Sequence, residues 1–377
     1  MSFDDVIPRR DTGSLKWNAK PTLDPFWIAD MDFASPPAVI EALQTRVAHG
    51  VFGYPTPHDG LKEALFNYLS KRLNYHSSDT DIVHLGGLVP ALSLAARAFG
   101  QPGDEILTCT PVYPPFVSVG NDADMKTVTV DHIKVDGSWT FDWEAMEQAV
   151  TPKTKVFFLC NPQNPLGRCF TADEITKIGN FCLRHNILLV SDEIHCDLVL
   201  DESLTPFFSA LHLPEELRQN TIVLLAPSKT YNIAGLGYSF AVIENPEIRR
   251  KFTQARGHTM PEINCLAYYA AEAAYRDGET WRQDLLAYLR VNRAIITDFA
   301  ARELDGKLVV PNIEATYLAW MDCRDFPFTN PAQHLEKAEI FVSDGAYFRA
   351  PGRIRFNFGC PQSRVLEGLE KIKSGLQ

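Results

Sequence analysis

Lys229 stands in Leu224-Leu225-Ala226-Pro227-Ser228-Lys229-Thr230, just past an apolar run from Thr221 to Ala226. Such a run reads as a buried strand, and Gly235 and Gly237 soon after it mark a close turn that a surface lysine does not need. A lysine amine condenses with a carbonyl only when deprotonated, and burial beside other positive centres lowers its pKa by disfavouring the charged form. Ser-Lys-Thr alone fits any solvated turn. The case for chemistry rests on what ends the other strands.

Those strands must come first. From Asp81 onward, short β-rich runs alternate with helical ones, the pattern of βαβ units around a mostly parallel sheet. The runs are Ile82 to Leu85, Glu105 to Thr110, Lys126 to Val130, Val156 to Cys160, Ile187 to Ser191, Thr221 to Ala226 and Tyr238 to Ile243. Ligands of such sheets collect at the carboxyl ends of the strands. After the first run, Gly86-Gly87-Leu88-Val89-Pro90 turns into a helix start, where free N–H groups and the macrodipole favour an anion. After the second, the proline-flanked Tyr113 suits stacking on a planar ring. After the fourth, Asn161-Pro162-Gln163-Asn164-Pro165-Leu166-Gly167 forms a rigid bend that projects an amide. The fifth leads into Asp192-Glu193-Ile194-His195, and a carboxylate ending a buried strand needs a positive partner, such as a pyridinium nitrogen, to stay ionised. Each signal has a plain packing or turn explanation by itself; their order along one sheet is what counts.

The rest of the chain frames this sheet. The segment through Phe33 reads as an ordered arm, followed by a helix with an apolar stripe at Val39, Ile40, Leu43 and Val47 and a loop at Phe52-Gly53-Tyr54-Pro55. Beyond Asn245-Pro246 come helices, then strand-like Lys307 to Val310, Thr316 to Trp320, Glu339 to Val342 and Ile354 to Phe358, and a final helix. The division expected is a large domain over 46–274 and a smaller discontinuous α+β domain from 1–45 and 275–377. Forty-seven acidic against 36 basic residues, net −11, argue against nucleic acid and anionic membrane as partners. The eight cysteines show no CxxC spacing and read as reduced thiols. No stretch has the pattern of a signal peptide or membrane span, so the expected location is cytoplasmic.

The glycine turn, Tyr113, Asn164 in its Asn-Pro-x-Asn-Pro-x-Gly frame, Asp192 and Ser228-Lys229 together resemble the fold type I pyridoxal 5′-phosphate (PLP) enzymes of aminotransferase class I/II. Further stretches are similar to the MalY/PatB-like cystathionine β-lyase branch of that family: Lys16-Trp17-Asn18, Trp27 to Phe33, Phe52-Gly53-Tyr54, Pro111 to Phe116, Ser191 to Asp197, Ser228 to Leu236 and Ala315 to Trp320. The resemblance implies that Lys229 carries the Schiff base and handles the Cα proton. It implies that Asp192 pairs with the pyridine nitrogen, Asn164 bonds the ring oxygen, and Tyr113 stacks on the ring, with His195 beside it. Ser228 and the amides near Gly87 and Leu88 would hold phosphate, Tyr54 would come from a neighbouring subunit of a homodimer, and Arg355, with Arg353 as its competitor, would clamp the substrate α-carboxylate. Two positions depart from the aminotransferase pattern: Gly237 stands where many carry a phosphate-binding arginine, and His195 where many carry tyrosine. The implied activity is β-elimination from cystathionine or another sulfur-containing amino acid. The alternatives are an aminotransferase and a regulatory interaction protein that retains the lyase site.

Overall fold

The computed structural model describes residues 2–257, 260 and 262–377. All seven expected strands form one sheet: β1 (Ile82–Leu85), β2 (Glu105–Thr110), β3 (Lys126–Asp131), β4 (Thr154–Cys160), β5 (Leu188–Asp192), β6 (Thr221–Leu225) and β7 (Ser239–Val242). Their order is β1-β7-β6-β5-β4-β2-β3. Strand β7 is antiparallel to both neighbours, and the pairs among the other five adjacent strands are parallel. Two reversals at β7 leave β1 running in the common direction. The carboxyl ends of β1, β2, β4, β5 and β6 therefore share one edge with the start of β7.

Side chains alternate across a strand, and here the alternation sorts the sheet into two cores. Leu107, Phe157, Leu189, Val223 and Phe240 face a cluster that includes Leu61, Leu65 and Leu69 of α2 (Asp59–Arg72), Ile175 and Ile178 of α4 (Ala172–Arg184) and Ala270 of α6 (Cys265–Asp277). Their neighbours Ile106, Val156, Val190, Ile222 and Ala241 face Ala91, Leu92 and Ala95 of α3 (Leu88–Phe99) and Phe252 of α5 (Pro246–Arg256). The start of α4 is set by a capping box, in which Thr171 and Glu174 bond each other's backbone N–H groups.

The arm joins the C-terminal part of the chain. Phe26, Ala29 and Met31 share a core with Leu285, Leu289 and Ile296 of α7 (Glu279–Arg302), Leu318 of β8 (Leu318–Asp322), Ile354 and Phe356 of β10 (Arg353–Asn357), and Val365 and Leu369 of α8 (Gln362–Leu376). Strands β8 and β9 (Ser343–Asp344) flank β10 in an antiparallel sheet, and Asp24–Pro25 pairs with Ile340–Phe341.

Two local expectations change. Lys307 to Val310 forms no strand; Val309 makes an isolated bridge to Asp322, and left-handed backbone at Leu304, Asp305 and Gly306 has already turned the chain. The stripe on α1 (Pro37–Ala48) is only half covered: Val39 is fully buried, whereas Val47 is 51% exposed.

Candidate active site

At the shared strand edge lies a cavity of about 300 Å³. Gly87, Leu88, Tyr113, Asn164, Asp192, His195, Ser228, Lys229 and Arg355 all line it, delivered by six separate strands. Tyr54 does not; it is wholly exposed on the loop before α2.

Lys229 Nζ is buried and donates to the Ala29 carbonyl at 2.7 Å. Burial, reinforced by the nearby Arg355 charge and opposed by Asp30 and Asp192, lowers its pKa to about 8. A usable fraction of neutral amine thus exists near neutrality, as a Schiff-base lysine requires. Asp192 is also buried, and its Oδ1 accepts from Ile194 N–H at 3.0 Å. Burial pushes its pKa up to about 7, against the pull of that N–H and of Lys229. This carboxyl lacks a paired cation in its own chain among the described residues, and it lies on the cavity wall.

Arg355 is held in place by side-chain and backbone acceptors. Its Nη1 donates to Asn164 Oδ1 at 2.9 Å and its Nη2 to the Trp27 carbonyl at 2.8 Å, while the guanidinium lies 4.6 Å from the Phe348 ring centroid. Nε is buried with no hydrogen-bond partner among the described residues, and burial lowers the pKa to about 10, opposed only by Tyr113 and Tyr317. A buried arginine without a counter-ion fits an incoming carboxylate. Arg353, the competing candidate, is off the cavity, with Nε 3.4 Å from Asp322 Oδ2.

His195 is buried on the cavity wall, its Nδ1 unpartnered. Burial, with Lys229 and Arg355 adding, lowers its pKa to about 3, so the imidazole is neutral. Tyr113 is the most accessible of these side chains, and burial raises its phenol pKa.

The turn after β1 opens onto the cavity at a helix N-terminus. Gly87 has φ +146, a conformation open to glycine, and its N–H donates to Ser239 Oγ at 3.1 Å. Leu88 and Val89, the first residues of α3, line the cavity with amides that have no intrahelical acceptor. Gly237 closes the far side in left-handed backbone at φ +65, where an added Cβ would lie 3.2 Å from the Gly86 carbonyl. An arginine at this position would meet both backbone strain and a crowded wall.

Several contributors were not singled out from sequence. Gln163 Nε2 donates to the Pro111 carbonyl at 2.6 Å and its Oε1 accepts from Leu166 N–H, tying the Asn164 bend to the Tyr113 turn. Glu193, fully buried, accepts from Ser191 Oγ, Ser209 Oγ and Ala210 N–H, anchoring the chain beside Asp192. Ile28 and Ala29 bring the arm onto the cavity. The acid pair at 192–193 is visible as a motif, but nothing local distinguishes the carboxyl on the cavity wall from the one in the core.

Tested against PLP, the cavity offers a match for each part: a helix start and Ser228 for the phosphate, an unpaired carboxyl for the ring nitrogen, an amide and an aromatic for the ring, and a neutralisable lysine for the aldehyde. The family model described as aminotransferase class I and II matches residues 26–372. Cystathionine beta-lyase PatB of Bacillus subtilis is 34% identical, with both chains covered in full. Among solved structures, OvoB superposes with a TM-score of 0.96 at 36% identity, covering 100% of this chain and 99% of that one. Cystalysin from Treponema denticola, solved with pyridoxal 5′-phosphate, gives a TM-score of 0.93 at 33% identity, covering 100% and 98%.

Proposed function

The chain belongs to aminotransferase class I and II, and on that premise we propose that it is a PLP-dependent carbon–sulfur β-lyase. It would cleave cystathionine or cysteine S-conjugates to a thiol, pyruvate and ammonia. The observation that carries the reading is the buried Lys229 amine, sharing one cavity with the unpaired Asp192 carboxyl and the counter-ion-free Arg355. Elimination rather than amino transfer is supported by the full-length similarity to a cystathionine β-lyase and by Gly237, whose left-handed backbone and crowded wall disfavour the arginine many aminotransferases use.

In this reading Arg355 binds the substrate α-carboxylate, and its bonds to Asn164 and Trp27 fix the direction from which that carboxylate is met. PLP, once bound, supplies the electron sink for negative charge at Cα. Lys229 takes the Cα proton, and Asp192 keeps a positive charge at the ring nitrogen favourable. Neutral His195 adds no competing cation beside Lys229 and Arg355. The substrate loses its Cα proton and its Cβ–S bond; the sulfur leaves as thiol, and the three-carbon remainder takes up water and departs as pyruvate and ammonia.

The test is a product panel. With cystathionine or S-alkyl cysteines, pyruvate, ammonia and thiol should appear in equal amounts. Alanine, which has no leaving group on Cβ, should give at most slow amino transfer to a 2-oxo acid. Rapid, sustained transfer from alanine with little ammonia from any S-conjugate would make the protein an aminotransferase instead.

A homodimer with composite sites is part of the proposal. It is supported by the full exposure of Tyr54 together with exposed Val47, Val51 and Phe52, an apolar surface that its own chain leaves open. Mixing Tyr54→Phe and Lys229→Ala subunits should restore one intact site per heterodimer. Activity no higher than the parents' mean, with subunit exchange demonstrated, would place each site within one chain. A cytoplasmic location is likewise proposed, resting on eight free thiols; among the described residues no helix is long and apolar enough to cross a membrane.

A further inference from the structure

The arm segment that touches the cavity is gripped from both sides. On the site side, the Trp27 carbonyl accepts from Ser343 Oγ at 2.6 Å and Arg355 Nη2 at 2.8 Å, and the Ala29 carbonyl accepts from Lys229 Nζ at 2.7 Å and Tyr317 Oη at 3.1 Å. Asn357 Nδ2 reaches the Ile28 and Asp30 carbonyls at 2.6 and 2.7 Å. On the outer side, the Asp32 carboxylate accepts from Lys16 Nζ at 2.7 Å, Arg9 Nη1 at 2.7 Å and Trp17 Nε1 at 3.0 Å. Lys16 Nζ also donates to the Asp30 carbonyl at 3.2 Å, and Arg9 Nη2 pairs with Asp30 Oδ2 at 2.9 Å. The Lys16 side chain is fully buried and Asp32 nearly so.

We infer that the buried Lys16–Asp32 pair and Ser343 are positioning residues for substrate: they hold the Trp27 carbonyl in place, and that carbonyl sets the pose of the Arg355 guanidinium that meets the α-carboxylate. The pair touches neither cavity nor reacting atoms. It acts through the bent backbone from Trp27 to Asp32, whose site-facing Trp27 and Ala29 carbonyls are the acceptors for both site cations. A buried ion pair is a weak source of net stability but a strong one of fixed geometry, since its partners tolerate little displacement. Ser343 Oγ also lies 3.4 Å from Arg355 Nη2, so it braces both the carbonyl and the guanidinium. With the arm loose, Arg355 keeps its bond to Asn164 but loses the Trp27 carbonyl that fixes the plane of its fork.

This inference rests on the proposed role of Arg355, so its test uses a ligand that reports carboxylate capture without turnover. 2-Methylalanine has an α-amino and an α-carboxyl group but no Cα proton, so neither elimination nor amino transfer can follow its binding. Its dissociation constant for the PLP-loaded enzyme is read from the change in visible absorption. Ser343→Ala, a small change certain to leave the core filled, should weaken binding about three- to tenfold, as loss of one hydrogen bond does. The charge-balanced double variant Lys16→Met with Asp32→Asn should weaken it by about tenfold or more, with KM for an S-conjugate rising more than kcat falls. Both variants should retain stoichiometric cofactor, because the phosphate cradle and Asp192 lie on the sheet. Wild-type affinity in Ser343→Ala overturns the assignment even if the double variant does not fold. Absence of thiol release from every S-conjugate, with the binding losses intact, would instead remove the lyase reading and leave the positioning role standing.

Discussion

Lys229→Ala is expected to lower thiol release by at least about 10³-fold, since general-base assistance alone is worth 10²–10⁴ and the covalent attachment goes with it. Borohydride reduction of the wild-type holoenzyme should fix the cofactor on the peptide containing Lys229, and the variant should give no such adduct while still binding PLP reversibly. A reduced adduct on any other lysine in the wild-type protein would overturn the central assignment. The lowered pKa adds a pH signature. Below about 8 the amine is mostly protonated, so capture of PLP by apoenzyme should quicken about tenfold per pH unit and then level off above that value. An ordinary exposed lysine would keep accelerating to beyond pH 10.

Asp192→Asn should separate stability from function. In the apoenzyme Asp192 has its pKa raised from 3.8 to about 7, so the folded state favours the neutral acid. The stability this confers is fully present below the unfolded pKa and is lost as pH rises through about 7. At pH 8 the buried charge costs the apo fold up to about 4 kcal/mol by linkage. Asparagine keeps an acceptor for Ile194 N–H and cannot ionise. Apo Asp192→Asn should therefore melt at a higher temperature than apo wild type at pH 8, with the gain fading towards pH 4. Its loaded form should be slower by about 10²–10³-fold, because the charge that holds the ring nitrogen protonated is gone. An apo variant less stable than wild type at pH 8 would mean that Asp192 is paired inside its own chain, and the argument for a cationic ring partner would fail. Strain of this kind at a ligand site, relieved by the ligand, is the common trade between stability and activity.

Much of this was readable from residue order because the chemistry follows the strands. Apolar runs of four to six residues between helical patterns are a local property of the chain, and a parallel sheet brings their carboxyl ends together whatever the details of packing. Gly87, Tyr113, Asn164, the acid pair at 192–193 and Lys229 can therefore be named from what ends each run, and the Thr171 and Glu174 capping box sets a helix start through contacts three residues apart. Resemblance to a known family extended the reading to Arg355 and Tyr54, which no local pattern singles out.

What folding alone decided depends on distance through space rather than along the chain. Arg353 and Arg355 are indistinguishable as sequence; register against β8 puts Arg353 beside Asp322 and leaves Arg355 in the cavity without a counter-ion. Asp192 and Glu193 are an acid pair until the turn after β5 gives one three internal donors and the other a single N–H facing the site. The arm reads as ordered for want of a period, yet its Trp27 and Ala29 carbonyls hold cations from 328 and 200 positions away, Arg355 and Lys229. Burial, which moves Lys229 down and Asp192 up, exists only once the two cores and the arm have closed around them.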